Sequence, residues 1–309
     1  MTAALFRPDP RLAGLGNADW NLDSVVSALR HSRDVSHNIR RHAAGVELPS
    51  RQALEEIVAG LTAALFPSHF GPPDLTAESV DYFVGATLAR SLSALAVEVR
   101  RSLCFSADGR DPADFTEAAT ELTRAFAARL PDVRGLLADD IRAAYHGDPA
   151  ATSYAEILIG YPGMVAVRHH RLAHELRRLG APFLAQFISR LAHARTGVDI
   201  HPGAQIGRQF FIDHGTGVVI GETAVIGNRV RLYHSVTLGT RRFETDAEGA
   251  LVKGTLRHPI LEDGVVVYAG ATLLGRITIG AGSVIGSSVR LTHSVPAGSV
   301  ITAPVHQEG

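Results

Sequence analysis

A six-residue rhythm fills the last third of the chain and constrains its fold more than any other feature. A leucine, isoleucine or valine returns every sixth residue from Ile220 to Leu238, and again from Leu261 to Leu291. Two residues before most of these positions lies a second small or β-branched side chain, as at Val218. Neither an amphipathic helix nor an alternating strand has this period. A coil of three short strands does, so the rhythm predicts a parallel β-helix in which each turn buries one ring of apolar side chains against the next.

Glycine often follows the apolar residue of the repeat directly. A chain that turns three corners in every coil needs backbone conformations with φ above zero, which glycine adopts at little steric cost. We therefore expect glycines to occupy the corners of the coil, and the repeat places them at Gly221, Gly227, Gly239, Gly280 and Gly286.

Upstream of about residue 195 the apolar spacing becomes helical. Leucines and a valine lie three or four residues apart between Leu88 and Leu103, which predicts one core-facing helix. Further helices are expected near 25–42, 115–130, 165–179 and 183–194. The predicted organisation is an all-α domain over 1–195 and a β-helix over 196–309, with a loop at 240–257 that interrupts the repeat.

Composition excludes several classes of partner. The 309 residues include 30 basic and 31 acidic side chains, so the net charge of -1 attracts neither nucleic acid nor an anionic membrane. The single cysteine, Cys104, excludes an internal disulfide and fits a reducing compartment, so we expect a cytoplasmic protein. No leader is readable before Asn17, and no stretch comes near the roughly twenty apolar residues of a membrane span.

Polar residues cluster at the start of the coil and at the end of the interrupting loop. Three strings lie at the start: Asp-Ile-His-Pro from Asp199, Asp-His-Gly-Thr-Gly from Asp213, and Gly-Glu-Thr from Gly221. A fourth, Arg-His-Pro from Arg257, closes the excursion that begins at Thr240. Segments that leave a regular scaffold often carry binding and catalytic groups, so we expect the chemistry here.

These strings, together with Ser-Val-Thr-Leu-Gly from Ser235 and Asp-Pro-Ala from Asp148, resemble the serine O-acetyltransferases over roughly Ile141 to Val300. The resemblance implies an α+β fold with an N-terminal helical domain and a C-terminal left-handed parallel β-helix of hexapeptide repeats. It also implies transfer of an acetyl group from acetyl-CoA to the hydroxyl of L-serine, giving O-acetyl-L-serine for cysteine biosynthesis. The expected assembly is a homotrimer or a dimer of trimers.

The candidate catalytic residue is His214. A serine hydroxyl is a poor nucleophile at neutral pH, and histidine has a pKa suited to taking its proton. The resemblance assigns Asp199 to orient the imidazole. Direct attack on a thioester needs no nucleophile from the enzyme, and Cys104 is far in sequence from every motif. We expect no metal and no permanently bound cofactor, with acetyl-CoA acting as co-substrate.

The substrate contacts are carried over from the family position by position. Asp148 and Asp213 match residues that face the amino acid, at its ammonium group, while Arg257 and His258 match those that hold its carboxylate. A guanidinium can hold a carboxylate through two hydrogen bonds. Acetyl-CoA in the family lies in a groove between adjacent β-helices, and the matching positions are Gly239, Thr240, Ala269, Gly286 and Ser287.

Other hypotheses remain open at this point. Thr240 and the long excursion depart from the commoner pattern, so the acceptor could be another hydroxylated molecule such as homoserine. The same coil could host a γ-carbonic-anhydrase-like metal lyase, using histidines from adjacent subunits among His201, His214, His234 and His258. It could also be a non-catalytic trimeric scaffold. Asp148 could serve only to cap a helix or begin a turn.

The end of the chain bears on one further partner. Family members dock a terminal isoleucine into the active site of O-acetylserine sulfhydrylase, and this sequence ends in Gly309. That difference argues against a stable complex with the sulfhydrylase.

Overall fold

The computed structural model describes residues 20–32, 47–106, 115–243 and 245–303. The chain divides into two compact units, Met1–Val46 and Glu47–Gly309. The first unit contains helix α1, Leu22–His31, which buries none of its residues. It covers the first part of the helix expected at 25–42, and the remainder of that prediction from residue 33 onward lies outside the described residues.

The second unit begins with helices, as the apolar spacing predicts. Their bounds are α2 Arg51–Leu65, α3 Pro67–Phe70, α4 Val80–Ser106, α5 Thr116–Gly147, α6 Tyr154–Gly160, α7 Pro162–Arg178 and α8 Pro182–Thr196. The helix predicted from Leu88 to Leu103 is α4, and its Leu95 and Val99 are completely buried. α5 runs well beyond the predicted Leu130, through Pro131. The sequence analysis did not predict α2 or α6.

Helix α4 corrects one expectation about membrane spans. The stretch Val80–Phe105 is long and apolar enough to cross a membrane by length and composition alone, and it is the one such helix among the described residues. A core helix of a soluble protein passes the same test. α4 packs along α2 and α5, and Arg101 on it forms an ion pair with Glu98.

The last third of the described chain is a coil of short parallel strands. The strands are β1 Asp199–Ile200, β2 Gln205–Ile206, β3 Phe211–Ile212, β4 Val219–Ile220, β5 Val225–Ile226, β6 Arg231–Leu232, β7 Thr237–Gly239, β8 Ile260–Leu261, β9 Val266–Val267, β10 Thr272–Leu274, β11 Thr278–Ile279, β12 Val284–Ile285, β13 Arg290–Leu291 and β14 Val300–Ile301. Every third strand up to β13 joins the same sheet, and β14 pairs with β12, so the orders are β1-β4-β7-β10-β13, β2-β5-β8-β11 and β3-β6-β9-β12-β14. We call these the first, second and third sheets.

The six-residue rhythm is the inward-facing core of this coil. All ten predicted ring positions from Ile220 to Leu291 are at most 3% exposed. The strand register stacks them directly, with Ile220 beside Leu238 and Ile226 beside Leu261. Burial of one ring against the next therefore stabilises the coil, at roughly 25 cal/mol for each Å² of apolar surface removed from water.

The coil begins at β1, within the predicted range 196–309 and one turn before the strict six-residue rhythm starts at Ile220. Ile200 pairs with Ile220 and Ile212 pairs with Leu232, so the strands β1 to β3 form a complete first turn. Eight residues separate Ile212 from Ile220, because the turn at 213–218 is two residues longer than the later turn at 233–236. This insertion hides the first turn from a search for a strict six-residue period.

The glycines that follow the apolar residues do not have the predicted φ values. None of the five has a positive φ. At Gly221 and Gly280 the constraint is space, because an added Cβ would lie 2.0 Å from the His258 ring and 2.3 Å from the backbone nitrogen of Ala297. Positive φ instead occurs at other corner glycines, including Gly264 and Gly282.

A buried ion pair joins the helices to the first turn of the coil. Arg171 on α7 donates to both carboxylate oxygens of Asp140 on α5, each over 3.1 Å, and also to the carbonyl oxygens of Ile206 and Gly207. The backbone N–H of Phe210 donates to Asp140 over 2.9 Å. Burial raises the pKa of Asp140 to about 6, against the opposing charge of Arg171, so the carboxyl remains ionised at neutral pH. Helices and coil share one compact unit, and the proposed division at residue 195 stays a prediction.

Candidate active site

The predicted site residues gather at two different corners of the coil. Corner one joins the third sheet to the first, and its turns are 213–218, 233–236, 268–271 and 286–289. Corner two joins the first sheet to the second, and its turns are 201–204, 221–224, 240–259 and 275–277. The loop that interrupts the repeat is therefore one long turn of corner two.

Asp148 lies beside corner one, at the end of α5. It is the C-cap residue of that helix, and its Oδ1 accepts a 2.8 Å hydrogen bond from the backbone N–H of Ala150. Its Oδ2 accepts a 2.6 Å hydrogen bond from the hydroxyl of Tyr161. These two bonds, the one from Tyr161 first, lower the pKa of Asp148, and the nearby His214 and Arg231 lower it further. Asp148 thus begins a turn, as one hypothesis held, and also presents an ionised carboxylate to corner one.

His214 and Asp213 lie in the long first turn of corner one. Asp213 is fixed by its backbone N–H, which donates to the carbonyl of Leu232 over 2.9 Å. His214 has φ of 58°, a conformation uncommon for a residue with a side chain, and its ring is 72% exposed. Its Nδ1 lies 3.8 Å from Oδ1 of Asp213, and its ring meets that of His234 edge-on at 5.7 Å. The imidazole is therefore open to a substrate, with the carboxylate of Asp213 beside it and that of Asp148 near enough for His214 to lower its pKa.

The tight packing of α7 against the coil fixes this turn. Gly163, in the first turn of α7, lies so close to Ile212 that an added Cβ would be 2.2 Å from the Ile212 carbonyl oxygen. Ile212 immediately precedes Asp213 and His214 in the chain. The glycine is thus needed to bring Tyr161 and Asp148 up to the candidate base.

Asp199 does not contact His214 within the chain. Its Oδ2 forms a 2.8 Å hydrogen bond with Nη1 of Arg190 on α8, and Nδ1 of His193 lies 3.9 Å away. No hydrogen bond joins Asp199 to His214, although both residues are described. The orientation of His214 by Asp199 stays a prediction.

Arg257 and His258 are held at corner two by Glu222 and Thr223. The hydroxyl oxygen of Thr223 accepts from the backbone N–H groups of Arg257 and His258, over 3.0 and 3.1 Å. It lies 2.9 Å from Nδ1 of His258, to which the backbone N–H of Thr223 also donates. Because its lone pairs are engaged, the hydroxyl donates its proton to Nδ1, which leaves the ring proton of His258 on Nε2. The Nη2 of Arg257 donates to Glu222 over 2.8 Å.

The electrostatics of corner two keep His258 neutral. Burial, followed by the charge of Arg257, lowers the pKa of His258 to about 4. Burial alone would raise the pKa of Glu222, but the hydrogen bond from Arg257 and the surrounding positive charges hold it below its usual value. Glu222 also accepts a 2.7 Å hydrogen bond from Arg177 on α7. The group can therefore offer a guanidinium and a neutral N–H donor to an anionic substrate.

The predicted acetyl-CoA contacts divide between the same two corners. Ala269, Gly286 and Ser287 lie along corner one, where the carbonyl of Ala269 accepts from the backbone N–H of Ser288 over 2.9 Å. Gly239 and Thr240 lie at corner two, where the Thr240 hydroxyl donates to the carbonyl of Arg242 over 2.8 Å. Within one chain, the two sets of residues do not form a single groove.

The histidines that a metal lyase would use are also divided. His214 and His234 lie at corner one, while His201 and His258 lie at corner two. Among the described residues, no three side chains of histidine, cysteine, aspartate or glutamate come together as a candidate metal site. The metal-lyase hypothesis takes its ligands from adjacent subunits, so the arrangement within one chain does not test it.

Sequence reasoning missed several residues that position these groups. Tyr161 gave no signal beyond its place before Pro162 and Gly163. Glu222 and Thr223 stood in a noted polar string, but their contacts with the Arg-His pair 34 or 35 residues later require the coil to be stacked.

The sequence and the fold of this chain are both similar to those of serine acetyltransferases. The plasmid serine acetyltransferase of Synechococcus elongatus is 53% identical over 291 residues, which cover 92% of this chain and 91% of that relative. The structure of serine acetyltransferase isoform 3 from Entamoeba histolytica in complex with cysteine matches with a TM-score of 0.70 at 33% identity, covering 93% of this chain and 92% of that one. The serine acetyltransferase of Neisseria gonorrhoeae in complex with serine matches with a TM-score of 0.53 at 30% identity, covering 83% and 97%.

No family model matches the chain. Its identity to the Synechococcus protein nevertheless extends over nearly the whole length of both sequences, through the helices as well as the coil. On that evidence the chain belongs to the serine acetyltransferase family.

Proposed function

We propose that this protein transfers the acetyl group of acetyl-CoA to the hydroxyl of L-serine, giving O-acetyl-L-serine and CoA as the first step of cysteine biosynthesis. The observation that carries the proposal is the exposed imidazole of His214 at corner one, 3.8 Å from Asp213 and close enough to Asp148 to influence its pKa. Relatives in complex with serine and with cysteine support an amino-acid ligand.

His214 acts as the general base in this mechanism. It takes the proton of the serine hydroxyl while the oxygen attacks the thioester carbonyl, and a base so placed typically contributes about 10²- to 10⁴-fold in rate. The C–S bond then breaks, and the CoA thiolate leaves with the proton that His214 returns. Asp148 and Asp213 face the ammonium group of serine, and the proposed role of Asp199 is to orient the imidazolium.

Arg257 and His258 hold the substrate carboxylate in the proposal. A carboxylate would exchange with Glu222 on the Arg257 guanidinium and accept from the Nε2–H of His258, which remains a donor because the ring is neutral and its Nδ1 accepts from Thr223. His214 and Arg257 lie at different corners of one chain, so a complete site requires corner one of one copy to face corner two of another. A homotrimer with parallel coils contains three such interfaces, and therefore three active sites. Two of these trimers could associate into a hexamer.

Acetyl-CoA lies in the groove between two such coils, against Ala269, Gly286 and Ser287 of one copy and Gly239 and Thr240 of the next. The coil is a left-handed parallel β-helix of hexapeptide repeats, and the enzyme works in the cytoplasm with neither a nucleic acid nor a membrane as partner. The terminal residues on which the sequence-based expectation about the sulfhydrylase rests, 304–309, lie outside the described residues.

The decisive experiment measures CoA release from acetyl-CoA with L-serine, with homoserine and without acceptor. The wild-type protein is compared with His214→Ala and with His69→Ala, which removes an exposed histidine on α3. We expect serine-dependent release, lost by about 10²-fold or more in His214→Ala and retained in His69→Ala. Release with homoserine alone would show that homoserine, not serine, is the acceptor. No release from a folded wild-type protein would refute the proposal.

A further inference from the structure

The helical part of the protein contains a cavity that belongs to neither corner of the coil. It has a volume of about 540 Å³ and lies among α2, α3, α7 and α8. We call it the helical cavity and define it by the residues Arg51, Glu55, Phe70, Arg168, His169 and Arg195. Neither the sequence motifs nor the proposed reaction uses any of these side chains.

Arg168 is the unusual group in the helical cavity. The residue is only 5% exposed, and its Nε and Nη1 are buried without a hydrogen-bond partner among the described residues. Its guanidinium lies 5.2 Å from the centre of the Phe70 ring, which fixes its plane but supplies no hydrogen-bond acceptor. Burial lowers the pKa of Arg168 to about 10, so the side chain is still a cation at neutral pH. A buried cation with unused donors is unfavourable unless an acceptor reaches it.

The other charges of the cavity favour a negative ligand. Arg195 is exposed and forms no ion pair with the described part of the chain, and it lies near enough to Arg168 to lower the pKa of that guanidinium. Arg51 pairs with Glu55 over 3.1 Å, so these two charges offset each other. Burial lowers the pKa of His169 to about 4, so that ring carries no charge at neutral pH. Within the described part of the chain, Arg168 and Arg195 are thus left without an anionic partner.

We propose that the helical cavity binds a small organic anion, with a phosphate or carboxylate head against Arg168 and Arg195 and an uncharged body against Phe70. The head provides the acceptors that Nε and Nη1 of Arg168 lack. The cavity is too large for an inorganic ion alone, and its apolar wall of Val58, Ala59 and Leu191 matches an uncharged body. The cavity lies on α7 and α8, which also carry Arg177 and Arg190. These two arginines bond to Glu222 and Asp199, so an anion bound in the cavity could influence the reaction from outside the active site.

The test is a titration of the full-length protein at constant ionic strength, followed by calorimetry. Three probes separate the head groups and the body: inorganic phosphate, glycerol phosphate and butyrate. The variants are Arg168→Gln and Arg195→Gln, with Arg124→Gln as a control because it removes an exposed arginine from α5. Arg257→Ala is included because phosphate could also bind at corner two.

We expect saturable binding of glycerol phosphate or butyrate, tighter than that of inorganic phosphate, weakened about tenfold or more by Arg168→Gln and several-fold by Arg195→Gln. Arg124→Gln should bind as the wild type does, and Arg257→Ala should keep the binding that the two cavity variants weaken. Since Arg195 is exposed, its variant is expected to fold even if Arg168→Gln does not. Binding lost in Arg257→Ala but kept in both cavity variants, or no saturable binding of any probe, would overturn the proposal.

Discussion

The hydroxyl of Tyr161 donates a 2.6 Å hydrogen bond to Oδ2 of Asp148, across the intervening helix α6. This bond is the largest cause of the lowered pKa of Asp148. It therefore stabilises the ionised form of the carboxylate that we place at the ammonium group of serine.

We expect Tyr161→Phe to raise the KM for serine about three- to tenfold, with a smaller change in kcat, because one hydrogen bond to a charged group is lost. Steady-state kinetics at saturating acetyl-CoA measure both parameters. Tyr82→Phe removes a hydroxyl from a tyrosine that is 82% exposed, and it should change neither. An unchanged KM in Tyr161→Phe would mean that Asp148 does not depend on this tyrosine.

Thr223→Val should weaken the carboxylate end of the site. The variant keeps the shape of the side chain but loses the hydroxyl that accepts from the backbone of Arg257 and His258 and donates to the His258 ring. We expect kcat/KM for serine to fall about 10- to 100-fold, since several hydrogen bonds are lost together. Thr278→Val on β11 is the control, because no described residue bonds to its hydroxyl. Equal activity of the two variants would contradict the arrangement of corner two.

Gly163→Ala should destabilise the junction between α7 and the coil. The new Cβ would meet the carbonyl oxygen of Ile212 at 2.2 Å, and overpacking of this kind typically costs about 1–3 kcal/mol. Gly135→Ala in α5 has no atom within 4 Å of the new Cβ and should gain about 0.5–1 kcal/mol from helix propensity. Denaturant unfolding of both variants measures the contrast, and a Gly163→Ala protein as stable as the wild type would show that the junction can relax.

Asp140→Asn should be strongly destabilising. It removes the negative partner of Arg171, which is 5% exposed, and breaking a buried pair by removing one partner costs about 3–5 kcal/mol. The matched control is Glu121→Gln, which breaks the exposed pair with Arg124 and should cost less than about 1 kcal/mol. Denaturant unfolding measures the free energy of unfolding of both variants. Similar values for the two would contradict this account of the helix–coil junction.

Stability should fall as the solution is made acidic, in part through His169. The pKa of this ring is lowered from 6.5 to about 4 by burial, so the folded protein holds it neutral while the unfolded chain takes up a proton. Its contribution is fully present above pH 6.5 and is lost as the pH falls toward 4, about 3 kcal/mol in total. Melting temperatures at several pH values, compared between the wild type and His169→Gln, should show a shallower dependence in the variant. If the melting temperature depended on pH with the same slope in both proteins, the acid sensitivity would come from other groups.

The sequence by itself determined the coil and the identity of the polar strings. Each face of a three-sided coil must contribute one inward-facing apolar side chain. The six-residue period from Ile220 to Leu291 is therefore a local property that can be counted along the chain. The helical stripe of α4 is local in the same way. The strings around His214 and Arg257 could be recognised because each is a short contiguous run.

Only the tertiary structure decided how distant segments meet. The insertion before Ile220 breaks the six-residue period, so only the structure shows how the first turn of the coil stacks on the second. The space around Gly221 depends on the His258 ring, 37 residues away in sequence. Whether Tyr161 reaches Asp148 depends on how α5 and α7 pack, and the separation of His214 from Arg257 depends on which strands lie between them. These relationships follow from stacking and packing over long sequence separations, which no periodic pattern of single residues contains.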